Sequence, residues 1–145
     1  MSSATSTFVD TNVLVYAHDA SEIERQPIAR AILEELWTDR SGVLSTQVLQ
    51  EFYVVATRKL SPPMPRDEAR ELVALYSTWR TILIDASLVL DASILEEQAQ
   101  MSFWDALIVG AALRAGATRL VSENLGDGRR IDGLGIENPF SERHS

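Results

Sequence analysis

Short apolar segments alternate with longer helical patterns along the chain, and this alternation constrains the fold more than any other feature. The predicted strands cover residues 7–10, 43–44, 81–85, 119–122 and 135–137. The predicted helices cover residues 12–17, 21–40, 46–59, 66–80, 87–100 and 103–114. Strands that alternate with helices are typical of a parallel sheet covered by helices. The sequence therefore predicts an α/β fold of three layers, α/β/α, with a central and mainly parallel sheet.

Capping signals mark the starts of the predicted helices. The segment 21–24 is a capping-box pattern and opens the second helix. Ser45 and Ser102 are predicted N-caps, and Gly116 is predicted to follow the last helix. The proline-rich stretch 61–65 separates two helical patterns, because proline breaks helices.

Length and composition predict one domain. The chain has 145 residues, no internal repeat and no long linker, so residues 1–145 are expected to form a single domain with flexible tails at about 1–6 and 141–145. It has no cysteine, which excludes disulfides, Cys-ligated zinc and a thiol nucleophile. No secretory signal and no membrane-spanning run is visible, so we expect a cytoplasmic protein without a membrane partner.

The charge balance bears on a nucleic-acid partner. The formal net charge is -8, which gives no general attraction to phosphates. However, 12 of the 13 basic residues are arginine, a side chain suited to paired phosphate contacts, and we expect some of them beside the site. A cluster of acids that holds metal ions also becomes a phosphate-binding site.

Asp10 follows the first predicted strand and precedes a helix. In parallel sheets, ligands bind beyond the carboxyl ends of the strands, where Asp10, Ser122 and Glu123 are expected to lie. A carboxylate there can bind a hard cation through oxygen. Asp10 can equally serve as the N-cap of the following helix, and the local sequence does not choose between the two roles.

Two further acids occur in apolar surroundings on helices. Glu51 has mostly apolar neighbours at helical spacing, so its carboxylate needs a partner, which is either a metal ion or Arg58. Asp105 lies three residues after Ser102, where it completes a capping box. The helix dipole would also keep the Asp105 carboxylate ionised and ready for a cation.

The segment after the fourth strand supplies more oxygen ligands, namely Ser122, Glu123, Asn124 and Asp127. Together with the three separated acids, this segment predicts one shared site. Mg²⁺ or Mn²⁺ relieves the repulsion among such acids, activates a water molecule and stabilises phosphoryl charge. Hydrolysis of a phosphodiester is the chemistry that follows.

Other enzyme classes fit less well. The sequence has neither a glycine-rich phosphate loop nor a Gly-x-Ser-x-Gly elbow. Aspartyl phosphatases need a second aspartate at the position of Asn12. His18 is predicted to be a surface residue, and His144 falls in the expected tail.

Four segments in order resemble the motifs of PIN-domain proteins, and in particular of VapC-type toxins. They are Phe8-Val9-Asp10-Thr11-Asn12-Val13-Leu14, Gln50-Glu51-Phe52-Tyr53, Phe103-Trp104-Asp105-Ala106-Leu107-Ile108 and Leu120-Val121-Ser122-Glu123-Asn124-Leu125. The closing segment 136–140 resembles the end of VapC-type members. The resemblance spans nearly the whole chain.

The resemblance implies a PIN-like fold and a Mg²⁺- or Mn²⁺-dependent endoribonuclease toxin. It implies an RNA substrate, a homodimer and inhibition by a VapB-like antitoxin, which we expect to dock in an apolar groove. The family's acids correspond to Asp10, Glu51 and Asp105, and its hydroxyl residues near the metal to Thr11 and Ser122. The family commonly has aspartate at the position of Asn124, so Asp127 or Glu123 is predicted to supply the missing charge.

Three alternatives stay open at this stage. In the first, the chain is a PIN-like binding module with a weakened metal site, which Asn124 favours. In the second, the acids are helix caps and salt bridges without catalytic function. In the third, the enzyme is a nuclease that acts on DNA rather than RNA.

Overall fold

Six short strands form one sheet in the computed structural model, which describes residues 5–141. They are β1 (Thr7–Val9), β2 (Gly42–Ser45), β3 (Arg80–Ile82), β4 (Arg119–Val121), β5 (Arg130–Ile131) and β6 (Leu134–Glu137). Their order in the sheet is β3-β2-β1-β4-β6-β5. Only the pairing of β5 with β6 is antiparallel in this part of the chain. The predicted α/β class with a mainly parallel sheet is confirmed.

Six helices connect the parallel strands. They are α1 (Thr11–Ala17), α2 (Arg25–Asp39), α3 (Thr46–Arg58), α4 (Arg66–Tyr76), α5 (Ala86–Ala99) and α6 (Phe103–Arg114). The chain passes from β1 through β2 to β3 and then returns across β1 to β4. Because such crossovers are right-handed, the reversal places α1–α4 on one face and α5–α6 on the other. The contacts of α1 with α2 and α3, and of α5 with α6, agree with these layers.

The predicted caps of two helices are confirmed. Ser45 Oγ accepts a hydrogen bond from Val48 N at the start of α3. Ser102 Oγ accepts one from Asp105 N at the start of α6. Each hydroxyl satisfies an amide that has no partner within its helix, which fixes where the helix begins.

Two predicted helix boundaries are wrong. α2 begins at Arg25 rather than at residue 21. The Asp19 carboxylate accepts hydrogen bonds from the backbone N and the Oγ of Ser21, and this local turn competes with the helix. α4 ends at Tyr76 rather than at residue 80, because Arg80 already pairs with Val43 in the sheet.

A hairpin near the end of the described chain is missing from the sequence prediction. β5 and β6 are joined by Asp132 and Gly133, which have φ angles of 47° and 86°. An Asp-Gly pair of positive φ is a strong signal for a two-residue hairpin turn. The Asp132-Gly133 pair carries this signal in the sequence, but the predicted strands include none at residues 130–131.

The core lies on both faces of the central strands. Phe8, Leu44, Leu120 and Ile136 from four strands are at most 1% exposed. Strands buried on both faces are expected when helices cover a parallel sheet. No helix among residues 5–141 combines the length and the apolar character that crossing a membrane requires. The predicted tails lie mostly outside the described residues, as does His144.

Candidate active site

The three predicted acids meet in one cavity of about 370 Å³, here called the acid cavity. It lies beyond the carboxyl end of β1, where α1 begins. The lining residues are Asp10, Thr11, Asn12, Val15, Tyr16, Gln47, Glu51, Val55, Trp104, Asp105, Ile108 and Asn124. Residues as far apart in sequence as Asp10 and Asn124 thus share one concave surface.

Asp10 serves as a helix cap and as a cavity residue at once. Its Oδ1 accepts a hydrogen bond from Thr11 N over 2.7 Å, and its Oδ2 accepts one from Ser122 Oγ over 2.7 Å. Its backbone N also donates to Val121 O, which extends the pairing of β1 and β4. The two roles left open by the sequence are therefore compatible.

In the absence of a cation, the environment of Asp10 disfavours the ionised form of its carboxyl group. Burial raises the pKa of the Asp10 carboxyl from 3.8 to about 6. The hydrogen bonds from Ser122 and Thr11 oppose this rise, whereas the negative charges of Glu51 and Asp105 add to it. A cation in the acid cavity would reverse this balance.

Glu51 projects from the middle of α3 and is half-buried. Its Oε1 accepts a hydrogen bond from Thr11 Oγ1 over 2.7 Å, and its Oε2 accepts one from Gln47 Nε2 over 3.2 Å. The salt bridge to Arg58 that the sequence allowed is not among the ion pairs of the described residues. The polar contacts of Glu51 therefore come from neighbouring site residues.

Gln47 is a site residue that the sequence reasoning missed. It is 5% exposed and lines the acid cavity, and its Nε2 donates to both Glu51 Oε2 and Trp104 O. Its Oε1 is buried with no hydrogen-bond partner among the described residues. Exchanging the amide atoms would set an oxygen against the Glu51 carboxylate, so the unsatisfied atom is the acceptor. Its position four residues before Glu51, on the same helix face, was the available signal.

Asp105 reaches the acid cavity from the first turn of α6. Its backbone N is held by Ser102, while its half-buried side chain lines the cavity. A carboxylate in the first turn interacts favourably with the helix dipole. The capping interaction and the cavity position therefore coexist.

The segment after β4 divides between two locations. Ser122 is fully buried, donates to Asp10 Oδ2, and accepts a hydrogen bond from Asn124 N over 3.3 Å. Asn124 lines the acid cavity, as do Thr11 and Asn12. Asn12 Oδ1 also accepts a long hydrogen bond from Glu123 N.

Glu123 and Asp127 are not among the residues that line the acid cavity. The Glu123 carboxylate accepts hydrogen bonds from Tyr16 Oη and from Arg25 Nε. Asp127 Oδ1 accepts a hydrogen bond from Asn138 N, and its Oδ2 accepts one from Ser141 Oγ. Of the residues predicted to complete the metal shell, the structure brings Asn124 to the three acids.

The donor set of the acid cavity fits a hard divalent cation. It combines three carboxylates with the oxygens of hydroxyl and amide groups. The oxygen types that line the cavity are therefore those that Mg²⁺ binds, but within residues 5–141 no three histidine or acidic side chains are arranged to hold a metal ion. Two of the carboxylates, those of Asp10 and Glu51, accept hydrogen bonds from hydroxyl and amide donors.

Two expectations about basic residues need correction. Neither lysine nor arginine occurs among the described residues that line the acid cavity, although arginines were expected beside the acids. His18 is half-buried rather than fully exposed, because its ring packs against Phe52 and Tyr76, with Nε2 2.7 Å from Tyr76 Oη. Burial lowers the pKa of His18, as expected for a packed, neutral imidazole.

Comparison with known proteins identifies the family. The PIN domain model matches residues 7–131. No curated protein matches the chain significantly. Among solved structures, a toxin–antitoxin complex from Klebsiella pneumoniae aligns with a TM-score of 0.69 and 21% identity, over 92% of this chain and 98% of the other.

Two further structures share this architecture. VapC20 of Mycobacterium tuberculosis, a toxin that cleaves the sarcin-ricin loop, aligns with a TM-score of 0.59 and 23% identity over 79% of this chain and 87% of its own. VapBC2 from Rickettsia felis, bound to a DNA fragment from its promoter, aligns with a TM-score of 0.60 and 23% identity over 91% and 97%. The TM-scores show that these structures share the fold of this chain, and the match of the family model over residues 7–131 shows that the chain belongs to the PIN domain family.

Proposed function

We propose that this protein is a Mg²⁺-dependent endoribonuclease toxin of the VapC type, able to use Mn²⁺ in place of Mg²⁺. The observation that carries the proposal is the meeting of Asp10, Glu51 and Asp105 in one cavity of a PIN domain. The similarity of the fold to VapC20, which is described as cleaving the sarcin-ricin loop, supports an RNA substrate.

Asp10, Glu51, Asp105 and Asn124 would hold the metal ion in the acid cavity. The ion would supply an activated water molecule and would stabilise negative charge on the phosphoryl group. The chain itself orients the carboxylates: Ser122 fixes Asp10, and Thr11 fixes Glu51. Such outer hydrogen bonds set the direction of metal-binding carboxylates and tune their affinity.

The ion would also solve an electrostatic problem. The acid cavity carries three carboxylates and no basic lining residue among those described, so it repels an RNA phosphate. A divalent cation converts such a cavity into a phosphate-binding site. We therefore propose that substrate binding and catalysis both depend on the metal.

A VapB-like antitoxin is the proposed partner, and the fold's similarity to chains of toxin–antitoxin complexes supports it. An apolar groove of about 510 Å³ between α3 and α4, lined by Leu49, Tyr53, Val54 and Val73, is where we propose that the antitoxin docks. In pull-downs from the native host, Val54→Asp should lose the antitoxin. Ile23→Asp, a control on an exposed turn, should retain it.

Purified protein incubated with RNA tests the proposed activity. Cleavage should appear with Mg²⁺ or Mn²⁺, stop with EDTA, and be lost in Asp10→Asn and Asp105→Asn. Asp91→Asn, an exposed aspartate on α5, is the matched control and should cleave normally. Cleavage that is unaffected by EDTA or by Asp10→Asn would contradict the proposal, and cleavage of DNA in preference to RNA would redirect it.

A second candidate function is a PIN-like binding module with little or no nuclease activity. Asn124 favours it, because an amide replaces a carboxylate of the family pattern. It is also favoured because, within residues 5–141, no three acidic or histidine side chains are arranged to hold a metal ion. Calorimetric titration with Mn²⁺ separates the two functions. A folded protein that binds no Mn²⁺ would be a binding module.

A further inference from the structure

Trp104 is an unusual residue for the position that it occupies. Its side chain is 64% exposed, yet it lines the acid cavity directly before Asp105. Isolated exposed apolar residues are common on protein surfaces. An exposed tryptophan that lines a cavity holding three acids differs from these, since it offers a large flat surface to a ligand there.

The position of Trp104 is linked to the acids. Its carbonyl oxygen accepts a hydrogen bond from Gln47 Nε2, the same group that donates to Glu51. Its ring packs edge-on against Phe103, with ring centroids 5.2 Å apart and planes at 79°. The backbone at Trp104 is thus tied to the amide group that also contacts Glu51, while most of the indole is open to solvent.

The negative charge of the molecule bears on how the indole of Trp104 could contribute to RNA binding. With a net charge of -8 and no basic side chain among the described residues that line the cavity, the side chains there contribute little attraction to phosphate. Stacking of a base on an aromatic ring needs no charge on the protein and accepts any base. Bases within a duplex are already stacked, so only unpaired bases are available.

We propose that Trp104 stacks on an unpaired base next to the phosphodiester that is cleaved, which makes it a specificity-determining residue that selects single-stranded RNA. This inference rests on the proposed ribonuclease function. It assigns the contact with the substrate base to one named side chain of this protein. Trp104 binds and orients the substrate, whereas the acids carry the chemistry.

Binding of an RNA oligonucleotide to protein carrying Asp10→Asn, in the presence of Mg²⁺, tests the inference without cleavage. Adding Trp104→Ala should weaken binding of single-stranded RNA between about five-fold and about one-hundred-fold. Adding Trp104→Phe should retain most of the affinity, because the aromatic face remains. Trp37→Phe, at a tryptophan on α2, is the matched control and should bind normally.

Four measurements separate stacking from a structural role. Single-stranded RNA should quench the fluorescence that Trp104 contributes, and a duplex of the same sequence should not. In the active protein, Trp104→Ala should raise KM with little change in kcat. Equal RNA affinity of the Trp104→Ala and Trp104→Phe proteins would overturn the inference, as would a change in sedimentation coefficient, which would place Trp104 in a protein interface.

The outcomes also distinguish this inference from the proposed function. If the wild-type protein cleaves no RNA but Trp104→Ala still weakens RNA binding, the ribonuclease proposal fails and base stacking stands. If the wild-type protein cleaves RNA and Trp104→Ala changes neither KM nor affinity, the ribonuclease stands and base stacking fails.

Discussion

Thr11 Oγ1 donates a hydrogen bond to Glu51 Oε1 over 2.7 Å and so joins the first turn of α1 to the middle of α3. The two residues are 40 positions apart in sequence. Since Thr11 N also donates to Asp10, one residue positions two carboxylates of the acid cavity. Thr11 therefore links the geometry of Asp10 to that of Glu51.

Replacing Thr11 tests this link. Thr11→Val removes the hydroxyl at similar volume, so we expect the free energy of unfolding to fall by about 1–2 kcal/mol in urea denaturation. Mn²⁺ affinity, measured by calorimetry, should fall by about ten-fold or more, because Glu51 is no longer oriented. Thr11→Ser keeps the hydroxyl and should retain both properties. Unchanged Mn²⁺ binding in Thr11→Val would show that the link is not needed.

The raised pKa of Asp10 predicts a pH dependence of stability in metal-free protein. Between pH 3.8 and about 6 the folded state holds a proton on Asp10 that the unfolded state has lost. The contribution of Asp10 to stability is therefore complete below pH 3.8, the pKa of the unfolded state, and is lost as the pH rises through about 6, the pKa of the folded state. The pKa change of about 2 units corresponds to about 3 kcal/mol.

Urea denaturation of wild-type protein and Asp10→Asn in EDTA, over a pH series, measures this contribution. The unfolding free energy of wild type minus that of Asp10→Asn should decrease by about 3 kcal/mol between about pH 4 and pH 7. The comparison removes the effect of other titrating groups, which both proteins share. A difference in unfolding free energy that stays constant with pH would contradict the claim that burial disfavours the ionised form of Asp10.

Substitutions at Asn124 and Asp127 are expected to affect Mn²⁺ affinity differently. Asn124→Asp adds a carboxylate to the acid cavity, so Mn²⁺ affinity should rise on the order of ten-fold. Asp127→Asn should leave Mn²⁺ affinity unchanged and lower stability by about 1 kcal/mol, because Asp127 holds Asn138 and Ser141. The opposite pattern would restore Asp127 as the predicted replacement ligand.

Glu123 is expected to act through structure. Glu123→Gln weakens the hydrogen bonds from Tyr16 and Arg25, which should lower the free energy of unfolding by about 1–2 kcal/mol. Mn²⁺ affinity should not change, because Glu123 does not line the acid cavity. Glu137→Gln breaks a more exposed pair with Arg119 and serves as the control, with a smaller stability loss. Loss of Mn²⁺ binding in Glu123→Gln would assign Glu123 to the metal.

The sequence predicted the fold well where strong local signals agree with the tertiary structure. Ser45 and Ser102 marked helix starts correctly, because their hydroxyls cap amides within the same segment. The predicted start of α2 was wrong because the turn at Asp19 competes with the capping box over only a few residues. Strand β5 was not predicted because the glycines around the Asp132-Gly133 turn are also typical of a loop.

The sequence predicted which acids line the cavity, but not which other residues contact them. Asp10, Glu51 and Asp105 stood out because carboxylates in apolar settings need partners, and the cavity brings them together. The division between Asn124 and Asp127 could not be read from the sequence, because it depends on which way a glycine-containing loop turns after β4. Gln47 was overlooked because an amide carries no charge to mark it as unusual.

Diffraction from crystals soaked in Mn²⁺ tests the central claim most directly. The anomalous signal of the metal identifies its ligands without reference to activity. The account predicts a peak in the acid cavity, coordinated by Asp10 together with Glu51, Asp105 or Asn124. An acid cavity without an ion at saturating Mn²⁺, or a peak bound only elsewhere on the surface, would contradict it.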